Sequence, residues 1–335
     1  MATAETSAAL GQMMIGAWIT QAISVAAELG VADLLDGGAA TAAELARELG
    51  VEEERLRRLL RALCSVGIFT LNDGERYELT PLGELLRSDV EGSQRAFARM
   101  AGAEFYGAWH GLHESVVSGI PGFDSRYGKS FFAYMTDNPE RWSIYDRAMH
   151  GVHGPETLPM LDAYDFGRFS RVVDVGGGDG STLAVMLQRY PHMQGTLYEL
   201  PDVSARGEET FLSHGLAERA VAVGGDFFTE VPGGGDIYLL RHVIHDWDDE
   251  ASTKILENCR KSMKSEGRVL LVESIIREGN DFGFVKWVDL MMMVIGGRER
   301  TVAEYARLME GAGLRLERVI ETACEVSILE GVAAA

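Results

Sequence analysis

The chain has 335 residues, 46% of them hydrophobic and 24% charged, with a formal net charge of −20. This is the composition of a globular protein with an ample core, and the length suggests two domains. The negative balance argues against a surface that holds nucleic acid or an anionic membrane, and leaves neutral or cationic small molecules as ligands.

The first half reads as helical. From Met13 to Leu29 apolar residues recur at helical spacing, and Gly30 is a natural stop. Thr41 with Glu44 forms a capping box for a short helix through Leu49, which Gly50 ends. A second amphipathic helix runs from about Glu53 to Val66. Ile68–Leu71 and Arg76–Leu79 then flank Asn72-Asp73-Gly74-Glu75, a strong hairpin signal, so helices and hairpin together predict a winged helix. The region from Pro81 to about Asp165 is again mostly helical. From Arg171 onward short β-branched runs alternate with helical segments: Val172–Val175, Thr196–Tyr198, Ala220–Val223, Ile237–Leu240 and Val269–Val272. That alternation predicts an α/β domain with a mostly parallel sheet. Leu314–Glu321 and Glu325–Glu330 are close enough to pair, which makes the last strand antiparallel. The expected domains are therefore 1–165 and 166–335.

Cys64, Cys259 and Cys324 are scattered, without metal or disulfide spacing, so a reducing cytoplasmic location and no metal are expected. The first basic residue is Arg47, unlike a secretory signal, and no run approaches the ~20 apolar residues of a membrane span.

The buried run Val172-Val173-Asp174-Val175 enters Gly176-Gly177-Gly178-Asp179-Gly180, and Ser181 opens a helix. Glycines allow a tight turn and close approach of a ligand to the backbone, here at Gly176 and Gly178. Glu199 ends the second strand, where an acid binds ribose hydroxyls. Asp226 follows the third strand and is placed to accept the adenine amino group while Phe227 covers the ring. Two cofactors compete. NAD domains usually carry Gly-x-Gly-x-x-Gly, but here the third glycine comes one position early, and Asp179 is unfavourable beside a pyrophosphate. S-adenosyl-L-methionine carries an ammonium and a sulfonium, which acids favour, and is the preferred reading.

Val172–Gly180, Tyr198-Glu199-Leu200-Pro201, Gly225-Asp226-Phe227-Phe228, His245-Asp246-Trp247-Asp248-Asp249-Glu250, Val272-Glu273-Ser274 and Gly296-Gly297-Arg298-Glu299-Arg300-Thr301 together resemble the caffeate-type small-molecule O-methyltransferases, in their bacterial antibiotic-pathway branch. The resemblance covers nearly the whole chain. It implies a Rossmann-like class I methyltransferase domain preceded by a winged-helix domain that dimerises and caps the substrate. It implies His245 as general base, flanked by Glu273 and Glu299. Further cofactor contacts carry over to Leu200, Arg241 (where the family usually has lysine, on the adenine side), Tyr145 and Met149. Asp246, Trp247, Met292 and Met293 would line the pocket of a phenolic or polyketide-like substrate, and the partner would be a second copy.

Other readings stay open. N-methylation, or decarboxylase, hydroxylase or pericyclase chemistry, is compatible with the same fold. The winged helix invites a DNA-binding reading through Arg55, Arg57, Arg58 and Arg61. Residues 41–91, however, hold seven arginines, no lysine and eleven acids, as expected of a solvated, salt-bridged helix face.

Overall fold

The computed structural model describes residues 3–334 and divides into two compact units. The first holds the residues through Gly111 together with Arg126–Gly154. The second holds Leu112–Ser125 and everything from Pro155 onward. The division falls earlier than the expected 165/166. Helix Thr157–Ala163 buries Met160 and Leu161 in the sheet core, and helix Leu112–Ser118 packs on helix Phe284–Ile295.

In the first unit, the capping box on helix Ala42–Leu49 is present, with Glu44 N–H donating to Thr41 Oγ1 at 3.2 Å and Thr41 N–H to Glu44 Oε2 at 2.7 Å. Helix Glu53–Ser65 follows, then the hairpin of β1 (Phe69–Leu71) and β2 (Tyr77–Leu79), in register Phe69↔Leu79. Asn72 Oδ1 accepts from the Gly74 and Arg76 N–H groups, which closes the turn. Leu35, Leu45, Leu56, Leu60, Leu63 and Phe69 form its core. On the exposed face of helix Glu53–Ser65, Arg57 pairs with Glu53 and Glu54, and Arg55 lies 4.0 Å from Glu52.

The N-terminal helix differs from expectation. It begins at Ala4 and is interrupted only at Ile15, so Ala4–Met14 and Gly16–Leu29 make a nearly continuous rod. An 18-residue window within its 26 residues has a mean hydropathy of 1.2, so by length and composition the rod could cross a membrane. The expectation that no segment approaches this threshold is therefore corrected. Scattered Ser, Thr and Gln interrupt the apolar run in sequence, but Glu5 and Glu28 are the rod's only charges. The rod falls in the winged-helix unit and leaves Met13, Met14 and Trp18 exposed.

The second unit is built on a seven-stranded sheet in the order β5-β4-β3-β6-β7-β9-β8. The strands are β3 (Arg171–Val175), β4 (Gln194–Glu199), β5 (Ala220–Gly224), β6 (Ile237–Arg241), β7 (Arg268–Ser274), β8 (Leu314–Glu321) and β9 (Val326–Ala333). β3 to β7 are parallel, and β9 runs antiparallel to both its neighbours. The last strand thus inserts between β7 and β8, and β8 forms the edge. Leu183, Leu187, Leu197, Phe211 and Ile328 pack in one hydrophobic cluster and Tyr238, Leu240, Ile255, Tyr305 and Met309 in another. β4 and β6 flank β3, so the strand order reverses there and opens a crevice at the strand carboxyl ends, where such sheets bind ligands.

The sheet carries one buried charge cluster. Glu330 on β9 accepts from Tyr164 OH at 2.9 Å, Arg268 Nε at 3.1 Å and Arg168 Nη2 at 3.2 Å, and pairs with Arg318. Burial alone would raise its pKa, but Arg318, Tyr164 and Arg168 together hold it below the usual value. A depressed carboxylate contributes stability above its unfolded pKa and loses it as pH falls through the folded one. Glu330→Gln should therefore cost about 2 kcal/mol at pH 7, a low figure for a buried pair because the arginines remain partly in water. In thermal melts this is a drop of roughly 4–8 °C, and the gap to wild type should close below about pH 4.

Candidate active site

The turn after β3 shows why glycine is needed there. Gly176, Gly178 and Gly180 have φ of +72°, +62° and +77°, in the left-handed region. A Cβ at Gly177 would run into Asp174 Oδ2, whereas one at Gly178 would meet open space within 4 Å. The turn is thus packed on its protein side and open on the other. Glu199 ties it to the end of β4, accepting from Gly178 N–H at 3.2 Å and Leu200 N–H at 2.7 Å. Asp179 turns back to accept from Ser181 N–H at 3.0 Å, so it caps the following helix.

Asp174 is buried, and its Oδ2 has no hydrogen-bond partner. Burial pushes its pKa up to about 7, against the pull of Arg241 and with help from Glu199 and Asp179. An orphaned carboxylate oxygen beside an open glycine turn fits a ligand that brings an ammonium. Asp226 uses both oxygens locally, accepting from Phe228 N–H at 2.9 Å and Thr229 OH at 3.2 Å. Phe227 lies beside Gly176 and packs edge-on with Phe228 and Trp247. Trp247 therefore stands with the Phe227 side of the crevice.

Arg241 ends β6, on the opposite side of β3 from Asp226, and donates to Thr182 Oγ1 at 2.7 Å, Thr157 Oγ1 at 3.0 Å and Glu156 Oε2 at 3.0 Å. Its longer, forked side chain satisfies these acceptors at once, which a lysine cannot do. Tyr145 and Met149 lie on helix Pro139–His153 of the first unit, where Tyr145 packs edge-on against Phe131.

Beyond β6 the chain makes one tight 3-10 turn, Ile244–Asp246, which carries His245. His245 is buried, and its Nδ1 lies 2.9 Å from Glu299 Oε1 and 3.6 Å from Glu273 Oε2. A carboxylate only accepts, so Nδ1 carries a proton, and when the imidazole is neutral Nε2 holds the lone pair. Asp246 Oδ1 stands 3.6 Å from Nε2. Burial alone would lower the His245 pKa, but Glu273, Asp246 and Glu299 outweigh it and favour the imidazolium. Burial raises Glu273 above the usual carboxylate range, against the pull of His245.

Residues outside the expected set hold this arrangement. Arg300, fully buried, donates to Ile244 O at 3.0 Å, Trp247 O at 2.8 Å and Asp249 Oδ1 at 2.8 Å. Arg298 N–H donates to His245 O at 2.7 Å. Glu273 Oε1 accepts from Ile244 N–H at 2.9 Å, and Asp289 Oδ1 from Glu299 N–H at 2.9 Å. Gly297 is required here, because a Cβ would collide with the His245 carbonyl. It would also approach Met292 Cε at 2.8 Å, which places Met292 beside the catalytic turn. Met293 is the next residue on the same helix and is half-buried. His242 is strained, with φ +52°, and its Nε2 lies 2.8 Å from Glu156 Oε2. The Gly-Gly-Arg-Glu-Arg-Thr run was the available signal for Arg300. Nothing in the sequence pairs His242 with Glu156, which lies 86 positions away.

Residues 109–315 match the O-methyltransferase domain family and residues 12–89 the O-methyltransferase dimerisation domain. The chain belongs to the O-methyltransferase family and is an S-adenosyl-L-methionine-dependent methyltransferase. It is 40% identical to the phenazine O-methyltransferase PhzM of Lysobacter antibioticus, over 97% of this chain and 95% of that one. It is 35% identical to the phenazine-1-carboxylate N-methyltransferase of Pseudomonas aeruginosa, over 95% of each. Among solved structures it matches an O-methyltransferase from neocarzinostatin biosynthesis (NcsB1), in complex with S-adenosylmethionine and 2-hydroxy-5-methyl naphthoic acid. That match has a TM-score of 0.83 and 35% identity, over 94% of this chain and 95% of the other.

Arg300 is a positioning residue for His245. Arg300→Lys keeps the charge but loses the fork, and should lower kcat roughly 10–100-fold, the scale of a small misplacement of a reacting group. KM for the cofactor should stay within about twofold, since the cofactor turn is on other strands. The downfield proton resonance of the His245–Glu299 hydrogen bond should weaken or disappear. An unchanged resonance with lowered activity would locate the damage elsewhere.

Proposed function

We propose that this enzyme transfers a methyl group to a hydroxyl of a small aromatic secondary metabolite, with His245 as general base. The observation that carries this reading is the His245 hydrogen bond. With Nδ1 committed to Glu299, the Nε2 lone pair is the one left for an acceptor proton. A phenol near pKa ~10 needs a base at neutral pH, and ordinary imidazole near ~6.5 is a weak partner for it. Glu273, Glu299 and Asp246 stabilise the imidazolium that forms as the proton is taken.

When bound, S-adenosyl-L-methionine supplies an electrophilic sulfonium methyl. The Asp174 carboxylate is suited to its ammonium and Glu199 to its ribose hydroxyls, with Phe227 beside the adenine. The acceptor hydroxyl gives its proton to Nε2 as its oxygen becomes the nucleophile. Asp246, Met292 and Met293 are assigned to the acceptor's pocket, where methionine side chains adapt to a flat ring. The resemblance assigns Tyr145 and Met149 to the cofactor as well. The catalytic steps assigned to these residues need no metal.

His245→Ala should lower turnover 10²–10⁴-fold, measured as labelled methyl transfer to a panel of phenols, while cofactor affinity by calorimetry stays within about twofold. Unchanged turnover on phenols would remove His245 as base. N-methylation is the second reading, favoured by the N-methyltransferase relative. An aromatic amine is unprotonated at neutral pH and attacks with its own lone pair. On that reading His245→Ala should spare anilines, and the wild type should prefer them over matched phenols.

We also propose that the chain works as a homodimer, which the dimerisation-domain match and the exposed apolar rod both support. Trp18 is 72% and Met14 66% exposed on that rod, an unusual outlay of large apolar surface for a free monomer. Light scattering should give twice the chain mass. The double substitution Met14→Glu and Trp18→Glu should give a monomer that retains its circular dichroism spectrum. A dimer that survives both charges would place the interface elsewhere.

A further inference from the structure

The catalytic cluster contains more negative charge than the proposed reaction uses. Asp246, Glu273 and Glu299 surround one imidazole, and among the described residues neither Glu273 nor Glu299 pairs with a lysine or arginine. Arg300 lies close by but spends its donors on Ile244 O, Trp247 O and Asp249. Glu273 is wholly buried, and its Oε2 has no hydrogen-bond partner. That oxygen faces two imidazoles, at 3.6 Å from His245 Nδ1 and 4.0 Å from His242 Nδ1. One ligand atom from each of His242, His245 and Glu273 lies within 4.8 Å of the others.

We propose that His242, His245 and Glu273 form an inhibitory site for a divalent transition-metal ion, with Zn²⁺ the best match. Two imidazoles and a carboxylate are a zinc-type donor set, and tetrahedral zinc places its ligand atoms about 3.4 Å apart. The two Glu273 distances approach that spacing, and the histidine nitrogens need a modest inward shift. His242 is already arranged as a metal ligand. Its Nε2 proton is committed to Glu156 Oε2 at 2.8 Å, so its Nδ1 lone pair faces Glu273. A carboxylate behind a ligating histidine fixes tautomer and ring orientation in metal sites generally. The left-handed backbone of His242, φ +52°, is the strained conformation that turns the ring this way. Glu299, whose Oε2 also has no hydrogen-bond partner, stands close enough to complete the shell.

The ion would occupy the place of the Nδ1 proton of His245. Neutral imidazole carries one proton, so a metal on Nδ1 displaces that proton to Nε2. Nε2 then has no lone pair for the acceptor, and methyl transfer stops until the metal leaves. The Nδ1–H bond breaks as the metal–Nδ1 bond forms, and an Nε2–H bond forms in its place, so the proton stays on His245.

The test uses the full-length enzyme, stripped with EDTA and dialysed, and ZnCl2 as the probe. Calorimetry should show one zinc per chain. His242→Asn, which tolerates a left-handed backbone, should weaken binding at least tenfold, and so should Glu273→Gln, which keeps the acceptor for Ile244 N–H. Co²⁺ should give the visible absorption of a tetrahedral site in wild type and not in either variant. In methyl-transfer assays zinc should inhibit wild type over its binding range, reversibly with EDTA. His242→Asn, with inhibition measured relative to its own zinc-free rate, should lose at least tenfold in zinc sensitivity. Absence of binding in wild type, or equal binding in both variants, overturns the site. Binding without inhibition overturns its inhibitory role. The inhibition arm rests on His245 being the base, whereas the binding arm does not. Zinc bound here, in an enzyme whose His245→Ala variant still turns over, would reject the base and leave the site standing.

Discussion

The hydrogen bond between His245 Nδ1 and Glu299 Oε1 constrains most of what surrounds it. A buried carboxylate without a partner is prohibitively unstable, and a buried imidazole without an orienting group points nowhere in particular. Joining them solves both problems, but only if the two backbones that carry them are held in register. The Arg298-Glu299-Arg300 segment does this with bonds to the carbonyls of Ile244, His245 and Trp247. Glu273 completes the frame from β7 by accepting from Ile244 N–H. The catalytic turn is thereby braced by β7 and by the segment after helix Phe284–Ile295. A short 3-10 turn could not supply that rigidity from its own hydrogen bonds.

Close backbone approach is the second recurring device. At Gly297 the absent side chain lets the bracing segment reach the His245 carbonyl, and at Gly177 it makes room for Asp174 beneath the cofactor turn. Both are contacts where protein meets protein. Gly178 is the opposite case, open toward the ligand side. The run of glycines after β3 therefore contains two requirements. Conformation alone explains position 178, packing explains 177, and both act at 176 and 180, where a Cβ would crowd Val243 and Phe211.

The features legible in the sequence were those written in local pattern. The strands of the parallel sheet, the capping box at Thr41 and the hairpin at Asn72–Glu75 all depend on residues within a few positions of each other. Glu199 was legible because the end of the second strand is a fixed station in this type of sheet. Asp179 was read through its charge beside a ligand, although its carboxylate closes a turn onto Ser181. The brace from Arg300 and the Glu156–His242 pair were not legible, since their partners are brought together only by the tertiary fold. The apolar rod was underestimated for a related reason. Apolar runs in sequence and apolar faces on a helix are different quantities, and only the second decides what an exposed helix can bury.

The site separates two tasks by strand. Asp174 and Glu199, at the ends of β3 and β4, hold the groups suited to the cofactor. His245, just beyond β6, and Glu273, at the end of β7, are the residues proposed to handle the proton, with Glu299 supplied by the segment before β8. The two halves meet where the strand order reverses at β3 and β6. Among the relatives are both O- and N-methyltransferases. An oxygen acceptor needs a base strengthened by buried carboxylates, whereas a nitrogen acceptor with its own lone pair does not. Maintaining three carboxylates around a buried imidazole is destabilising in itself. Their presence here, braced by a buried arginine, is the strongest physical argument that the acceptor of this enzyme arrives carrying a proton that must be removed.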